Sequence, residues 1–231
     1  MLIDLNCDLG EGAGTDAELM PLITSANVSC GAHAGTEADI VATLEMAGKL
    51  GVAVGAHPGH PDRGDFGRRE LPTPPRNVLE ETYAQILALR ALADRAGVKL
   101  RYVKPHGGLY HQACREDGYA DAVVSACALA GLPVVGLPGS RLQERAIGRV
   151  DFFAEGYADR RYRPDGSLVP RNQPSAFVAD AREAVEQVQR LIADLGVRTI
   201  CVHGDNPQAV AFVRAVRDEL IRAGAELRPF V

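Results

Sequence analysis

A short, partly apolar run that ends in polar residues lies at residues 2–12, Leu2-Ile3-Asp4-Leu5-Asn6-Cys7-Asp8-Leu9-Gly10-Glu11-Gly12. The same pattern recurs along the chain. Short apolar runs end at Cys30, Ala56, Val103, Ala154 and Val202, and each is followed within three residues by a His, Lys or Glu. Most of these runs precede a helix-like stretch. Parallel strands that alternate with helices place their C-terminal ends on one face, so the pattern predicts an α/β fold with a polar, enzyme-like end.

Periodicity predicts the elements between these polar clusters. Strands are expected at 2–6, 25–29, 52–56, 100–104, 133–137, 150–154 and 199–203. Helices are expected at 36–50, 77–96, 117–130, 140–147, 180–195 and 207–223, with Asn77 as an N-cap and Pro207 in a first turn. This rhythm favours an irregular seven-stranded, TIM-like β/α barrel in a single domain over residues 1–231. A doubly wound open sheet is the alternative.

Two long segments interrupt this rhythm. Residues 58–76 are rich in Pro, Gly and Arg and lack periodicity, and residues 160–176 form a second such excursion. Both follow predicted strands at the polar end. Long loops without secondary structure of their own are often functional, and we expect the first to act as a lid.

Composition narrows the class of protein. The chain has 231 residues, 25 basic and 30 acidic, and a net charge of −5. This balance argues against nonspecific nucleic-acid binding and against binding to a membrane surface. No run approaches the roughly 18 apolar residues that a membrane span requires, and no signal peptide is evident. Five scattered cysteines are typical of a reduced, cytoplasmic protein.

The first candidate cluster consists of Asp4, Asn6, Asp8 and Glu11. Alternate residues of a strand share a face, so the first three can point together into a barrel. Neighbouring carboxylates shift each other's pKa, and one can act as a general base while another orients water or a cation. The alternative is an acidic strand end that caps the following helix.

Four histidines follow four different predicted strands: His33, His57, His106 and His203. A histidine at a strand end is often structural, but four at one end favour proton transfer or metal binding. If a divalent metal binds, its expected ligands are Asp8, His33, His57 and His106.

Further charged residues flank the same strand ends. Lys104 ends an apolar run, where it is either salt-bridged or able to stabilise an oxyanion or phosphate. Arg68 and Arg160 are candidate carboxylate clamps, with surface salt bridges as the alternative. Glu155 and Asp159 offer charge partners, and Asp205 is placed either to orient His203 or to cap a helix. The sequence contains no GxxxxGK[ST], GxGxxG or GxSxG motif.

Seven motifs resemble those of one known family in the same order. They are Asp4–Glu11, Asn27–Gly35, Gly55–Gly59, Phe66–Arg69, Val103–Gly107, Ala158–Tyr162 and Cys201–Asn206. On these motifs the chain resembles the LamB/YcsF family over nearly its whole length. It departs from the family pattern at Ala32, at Gly108-Leu109-Tyr110-His111 and at Tyr157, which affects pocket shape more than charge.

The resemblance implies a fold, a reaction and partners. The fold is a seven-stranded β/α barrel similar to glycoside hydrolase/deacetylase-like folds. The reaction is hydrolysis of 5-oxo-L-proline to L-glutamate, coupled to ATP hydrolysis, in a complex with the B and C subunits of 5-oxoprolinase. Because this chain lacks a nucleotide motif, we expect the partners to supply phosphorylation and the barrel to open the ring.

Roles follow from combining this chemistry with the candidate residues. The expected base is Asp8 or Glu11. Lys104 and His106 are expected to stabilise negative charge. His57 and His203 are expected to move a proton to the leaving nitrogen, with Asp205 orienting His203. The expected substrate-binding residues are Asn6, Asn27, His33, Arg68, Glu155, Asp159 and Arg160. Alanine at Asp8 or Lys104 is expected to abolish turnover with folding nearly intact.

Two other functions fit the bare motifs. One is a metal-dependent deacetylase or amidohydrolase that acts alone on a similar barrel. The other is a noncatalytic protein that binds a small acid and regulates a partner.

Overall fold

Seven parallel strands close into a barrel in the computed structural model, which describes residues 2–164, 166–178, 180–203 and 208–231. The strands are β1 (Leu2–Leu9), β2 (Ser25–Ser29), β3 (Ala53–His57), β4 (Leu100–Val103), β5 (Val134–Gly136), β6 (Phe152–Tyr157) and β7 (Thr199–Cys201). Each strand pairs with the next, and β1 pairs with both β2 and β7. This closure confirms the barrel and excludes the open sheet. A short strand, β8 (Glu226–Leu227), pairs with Leu2 and Ile3 at the start of β1.

Eight helices surround the described part of the barrel. They are α1 (Asp16–Leu19), α2 (Glu37–Leu50), α3 (Pro75–Arg95), α4 (Gly107–Arg115), α5 (Asp117–Ala130), α6 (Arg141–Ala146), α7 (Ala181–Leu195) and α8 (Ala209–Arg222). Single 3₁₀ turns occur at Met20–Leu22 and Arg63–Asp65. None of the described helices is both long and apolar enough to cross a membrane.

Local chemistry explains where the predicted helices begin and end. Thr36 and Asp39 form a reciprocal capping box at the start of α2, and Gly51 ends that helix in a left-handed conformation. The prediction of Asn77 as a cap was wrong, because Pro74 takes that position and Pro75 begins α3. Proline suits a first turn, where its missing N–H has no helical partner. Pro207 lies outside the described residues.

Strand alternation divides β1 between two environments. Ile3, Leu5, Cys7 and Leu9 belong to the apolar core between the barrel and its helices. Asp4, Asn6 and Asp8 alternate with them and therefore face the barrel interior. Near the start of β6, the ring of Phe230 packs on Tyr102 and Phe153, with centroids 4.8 and 4.9 Å apart. The polar interior is thus closed by aromatic rings at the end opposite the predicted site.

The two long excursions lie at the C-terminal end of the barrel. Within 160–176, Tyr162 and Leu168 form an antiparallel bridge, and Leu168 and Val169 line a cavity above the strands. In the segment 58–76, the left-handed residue Phe66 follows a 3₁₀ turn and directs its carbonyl to His106. Both segments therefore contribute to the walls of the site.

Candidate functional site

A column of polar side chains fills the inside of the barrel and begins at Asp4. Its carboxylate accepts hydrogen bonds from Ser25 Oγ and Thr24 Oγ1, both at 2.6 Å, and from Thr199 Oγ1. Burial raises the pKa of Asp4 to about 6, although these hydrogen bonds oppose the shift. Asp4 therefore lies below the reacting end as a structural group.

The next layer consists of two amides beneath Asp8. Asn27 Nδ2 donates to Asn6 Oδ1 at 2.7 Å and to Asp8 Oδ1 at 2.8 Å. Tyr102 O–H donates to Asn27 Oδ1 at 2.7 Å, which fixes the orientation of that amide. Asn6 and Asn27 are fully buried, so the structure places them as supports for Asp8.

Lys104 stands at the centre of the site. Its Nζ lies 3.1 Å from Asp8 Oδ1, 3.2 Å from Glu155 Oε2 and 3.1 Å from Cys201 Sγ. Burial alone would lower the pKa of Lys104, but the charge of Asp8, followed by Cys201 and Glu155, holds it well above its usual value. The side chain is therefore a buried ammonium between two carboxylates.

Asp8 is the carboxylate that faces the cavity. Burial alone would raise its pKa, but His57 and Lys104 hold the pKa well below its usual range. Its Oδ2 lies 3.4 Å from His57 Nε2. Asp8 is consequently ionised, oriented on one side by Asn27 and Lys104, and open on the cavity side.

His57 and His106 face each other through one pair of ring nitrogens. His57 Nδ1 contacts the Lys104 carbonyl at 2.7 Å and His106 Nε2 contacts the Phe66 carbonyl at 2.8 Å, so both atoms carry hydrogen. The remaining atoms, His57 Nε2 and His106 Nδ1, lie 2.9 Å apart. Burial opposes a charge on both rings, but Asp8 raises the pKa of His57, whereas His57 and His33 keep that of His106 well below its usual value. Of the two rings, His57 is therefore the one that holds a proton more readily.

Glu11 and His33 complete a tight group with these two histidines. Glu11 Oε1 lies 2.9 Å from His33 Nε2, 3.4 Å from His106 Nδ1 and 3.9 Å from His57 Nε2. His33 stacks on His106 with ring centroids 3.9 Å apart. We call Glu11, His33, His57 and His106 the histidine cluster. One donor atom from each lies within 4.8 Å of the others.

Two glycines allow these rings to pack closely. A Cβ on Gly59 would lie 2.9 Å from His33 Nδ1, and a Cβ on Gly67 would lie 2.6 Å from His33 Cβ. Gly67 also has a positive φ of 64°. The glycines in the Ala56-His57-Pro58-Gly59 and Phe66-Gly67-Arg68 motifs are thus explained by the space that the imidazoles need.

His203 faces the cavity from the opposite side. Its Nδ1 lies 2.8 Å from Asp159 Oδ2, and its ring stacks on Tyr157 with centroids 5.4 Å apart. Burial would raise the pKa of Asp159, but His203 lowers it. Asp205, which the sequence suggested as the partner of His203, lies outside the described residues. In the described part of the chain, Asp159 provides that orienting carboxylate.

A cavity of about 860 Å³ connects these groups. Arg160 and Arg68 both line it, and Arg68 lies over the Phe66 ring at 5.0 Å. Arg160 is 3% exposed, donates to the Val169 carbonyl at 2.6 Å and leaves its Nε without a hydrogen-bond partner among the described residues. A buried guanidinium without a paired carboxylate favours an anionic ligand.

The sequence predictions missed two residues at the centre of the site. Cys201 contacts Lys104, and Tyr157 lies beside both His203 and Glu155, with its O–H 3.4 Å from Glu155 Oε1. Tyr157 is two residues from Glu155, and Cys201 is two residues from His203. The two-residue period of a strand therefore provides a signal for both.

Known proteins similar to this chain cover its full length. The family model described as LamB/YcsF family matches residues 3–231. The A subunit of 5-oxoprolinase from Neisseria meningitidis serogroup C is 43% identical, with 97% of this chain and 98% of that protein covered. The A subunit of 5-oxoprolinase from Thermus thermophilus is 40% identical over 100% of both chains.

Solved structures show the same fold. The crystal structure of a lactam utilization protein from Thermus thermophilus has a TM-score of 0.92 and 38% identity, with 100% of both chains covered. A family 4 carbohydrate esterase from Streptomyces lividans has a TM-score of 0.53 and 14% identity, with 97% of this chain and 90% of that chain covered. The second likeness concerns the fold alone.

Proposed function

The chain belongs to the LamB/YcsF family, and from this premise we propose that it is the A subunit of an ATP-dependent 5-oxoprolinase. It would open 5-oxo-L-proline to L-glutamate together with the B and C subunits. The observation that carries the proposal is that relatives 40–43% identical over 97–100% of this chain bear the name of that A subunit. Such names imply a complex of several different chains.

The proposed division of labour follows from the chemistry of a lactam. A five-membered lactam is a stable amide, and its carbonyl carbon reacts slowly with water. Transfer of the γ-phosphoryl group of ATP to the amide oxygen gives ADP and an activated carbon. Because the sequence has no nucleotide-binding motif of known form, we assign the phosphorylation to the B and C subunits. The barrel then receives the activated ring.

Ring opening needs one base and one acid. A water molecule adds to the activated carbon as the base removes its proton. The C–N bond then breaks as the nitrogen gains a proton, which yields γ-glutamyl phosphate, and a second water releases phosphate and glutamate. Nitrogen leaves poorly without protonation, whereas phosphate leaves readily. An acid placed at the nitrogen therefore decides whether the ring opens or the lactam is regenerated.

Asp8 fits the role of the base. It is ionised, it lines the cavity, and its orientation is fixed by Asn27 and Lys104. The Lys104 ammonium, 3.1 Å from Asp8, lies where it can stabilise negative charge that develops on the attacked carbon's oxygen.

His203 fits the role of the acid better than His57 does. Both ring nitrogens of His57 already contact protein groups, namely the Lys104 carbonyl and His106. In His203, Nδ1 contacts Asp159, and Nε2 has no hydrogen bond to the described residues and is assigned to the substrate. A carboxylate behind an imidazole fixes its tautomer and stabilises its charged form.

Arg160 fits the carboxylate of the substrate. Its guanidinium is buried against the cavity and has no ion pair with a carboxylate in the described residues. The cavity exceeds what one small ring requires, which leaves room for the phosphoryl group. The five cysteines are free, as is usual in the reducing cytoplasm, and we place the complex there.

The histidine cluster favours a second candidate, a metal-dependent hydrolase that acts without partners. A reconstitution separates the two functions. Glutamate release from 5-oxo-L-proline is measured with and without ATP, and with and without the B and C subunits. Release that requires ATP and both partners supports the proposal. Release by the barrel alone, without ATP and abolished by a chelator, would replace it with the second candidate.

A further inference from the structure

We propose that the histidine cluster binds one divalent transition-metal ion of the Zn²⁺ class, with Glu11 Oε1, His33 Nε2, His57 Nε2 and His106 Nδ1 as ligand atoms. The ion would lie beside Asp8, in the site of the proposed function. The inference itself rests on the arrangement of donor atoms and not on the substrate.

The spacing of the four donor atoms fits a metal. Among the six pairs, four distances are 2.9, 2.9, 3.4 and 3.9 Å, and all six are within 4.8 Å. Ligands at about 2.1 Å from a tetrahedral ion lie about 3.4 Å from one another. The donors come from the ends of three different strands and from the loop after β1. Their convergence is therefore a tertiary feature and not an accident of neighbouring sequence.

The outer nitrogens of two rings are held as they are in metal sites. His57 Nδ1 donates to the Lys104 carbonyl and His106 Nε2 donates to the Phe66 carbonyl. A backbone acceptor behind each ring leaves the opposite nitrogen as the one that can offer a lone pair to an ion. Such outer contacts are typical of histidines that bind metals.

The cluster also concentrates three imidazole nitrogens around one carboxylate. Three buried imidazoles converge on a single carboxylate oxygen, that of Glu11. One cation would bind the three inward nitrogens together with Glu11.

The donor types select the kind of metal. Imidazole with carboxylate suits Zn²⁺, Co²⁺ or Mn²⁺, whereas Mg²⁺ and Ca²⁺ prefer oxygen ligands. Glu11, His57 and His106 line the cavity, so a bound ion would be within reach of a ligand there. Such an ion would supply Lewis-acid polarisation of a substrate oxygen.

Direct metal binding tests the proposal without ATP or partner chains, because Mg²⁺ bound to ATP would confuse an activity assay. The whole chain is freed of metal by a chelator and dialysed. Zn²⁺ alone is then titrated by calorimetry, and metal content is measured after gel filtration. We expect one equivalent per chain, a raised Tm, and no displacement by millimolar Mg²⁺. Binding should also release protons from the ligands. Calorimetry detects this release because the measured heat of binding then depends on the ionisation enthalpy of the buffer.

Matched variants locate the ion. His33→Gln and His106→Gln should each weaken Zn²⁺ binding by more than about 100-fold, because loss of an outer contact alone weakens it by about 10- to 100-fold. His111→Gln is the control, since His111 lines the same cavity outside the cluster. Co²⁺ absorption of the wild-type protein tests the ligand set even if a variant fails to fold.

Two results would overturn the inference. One is that the wild-type protein, after gel filtration, retains less than a tenth of an equivalent of each of Zn²⁺, Co²⁺ and Mn²⁺. The other is binding that His111→Gln weakens as much as the cluster variants do. Metal binding without ATP-dependent glutamate release would instead leave this inference standing and remove the proposed function. The two failures are therefore distinguishable.

Discussion

Lys104 illustrates how one residue can join stability to chemistry. The sequence allowed either a salt-bridged or a catalytic lysine, and the structure shows an ammonium held between Asp8 and Glu155. Removal of Lys104 would leave two buried carboxylates without their shared cation. The sequence-based expectation that an alanine there leaves folding nearly intact therefore needs revision.

We predict that Lys104→Ala lowers the free energy of unfolding by about 3–5 kcal/mol, the usual effect of removing one partner of a buried ion pair. Urea unfolding at neutral pH measures it. Lys99→Ala is the control, because Lys99 is exposed and directly precedes β4, the strand that Lys104 follows. Adding Glu155→Gln to Lys104→Ala should restore part of the loss. An unchanged stability in Lys104→Ala would contradict the ion-pair account.

Asp4 gives a prediction about pH. Its pKa is raised from 3.8 to about 6 in the folded state, so the folded protein holds this proton more tightly than the unfolded chain does. The raised pKa of Asp4 therefore increases the free energy of unfolding below pH 4, and this stabilisation is lost as the pH rises through about 6. The difference between pH 4 and pH 7 is about 2.4 kcal/mol.

Asp4→Asn should remove this pH dependence. Unfolding by urea is compared between the variant and the wild type at pH 4.5 and pH 7.5, and the variant should gain stability relative to wild type at the higher pH. Other titrating groups cancel in this comparison. Equal differences at the two pH values would show that Asp4 is ionised in the folded protein throughout this range.

At the residue scale, the sequence brought together many residues of the candidate site because a strand alternates its faces. The two-residue period brings Asp4, Asn6 and Asp8 into the barrel. It does not show that Asn6 and Asn27 support Asp8 from below, since that depends on the β1–β2 register. The contact between Asp159 and His203 likewise depends on the approach of two loops that are distant in sequence.

At the element scale, the seven barrel strands and six of the eight described helices follow from periodicity and caps. Helix α1 was not predicted, because four residues are too few to show a period. Helix α4 was missed because it begins with Gly107-Gly108, which resembles a loop. Strand β8 was missed because two residues carry no period. These two elements need partners elsewhere in the fold, namely the loop around Gly67 and the start of β1.

The start of α4 gives a prediction for an element. Gly107 has a φ of +50°, and a Cβ there would lie 2.5 Å from the Gly67 carbonyl oxygen. We predict that Gly107→Ala displaces the Phe66–Arg68 loop from α4 and removes the carbonyl contact that fixes His106. Both the free energy of unfolding and the rate of glutamate release should fall.

Gly97→Ala is the matched control for this effect. Gly97 has a φ of +70°, but an added Cβ would meet nothing within 4 Å. The control should lose about 1–2 kcal/mol from the left-handed conformation alone, and Gly107→Ala about 1–3 kcal/mol more from crowding. Chemical denaturation of both variants measures the difference. Equal losses would mean that the two loops are not in close contact.

At the scale of the whole molecule, the sequence predicted the architecture and placed the candidate site at the C-terminal end of the barrel strands. It did not predict the cavity, because 160–176 and 58–76 lack a period from which their paths could be read. It named Arg160 as a substrate-binding candidate, but it did not show how the chain brings Arg160 to the cavity. That placement arises where the segment after β6 folds back over the barrel, as the Arg160–Phe177 bridge shows.

The most direct test of the account measures ADP and glutamate together in the complex reconstituted with Asp8→Asn. Asparagine keeps the shape of Asp8 but cannot accept the proton of the attacking water. We predict that glutamate release falls by at least about 100-fold, while the first equivalent of ADP still forms because the partners phosphorylate the ring. Asp94→Asn, on the exposed face of α3, should leave both unchanged. If the complex with Asp8→Asn released glutamate at the wild-type rate, this result would contradict the central claim that the barrel opens the activated lactam.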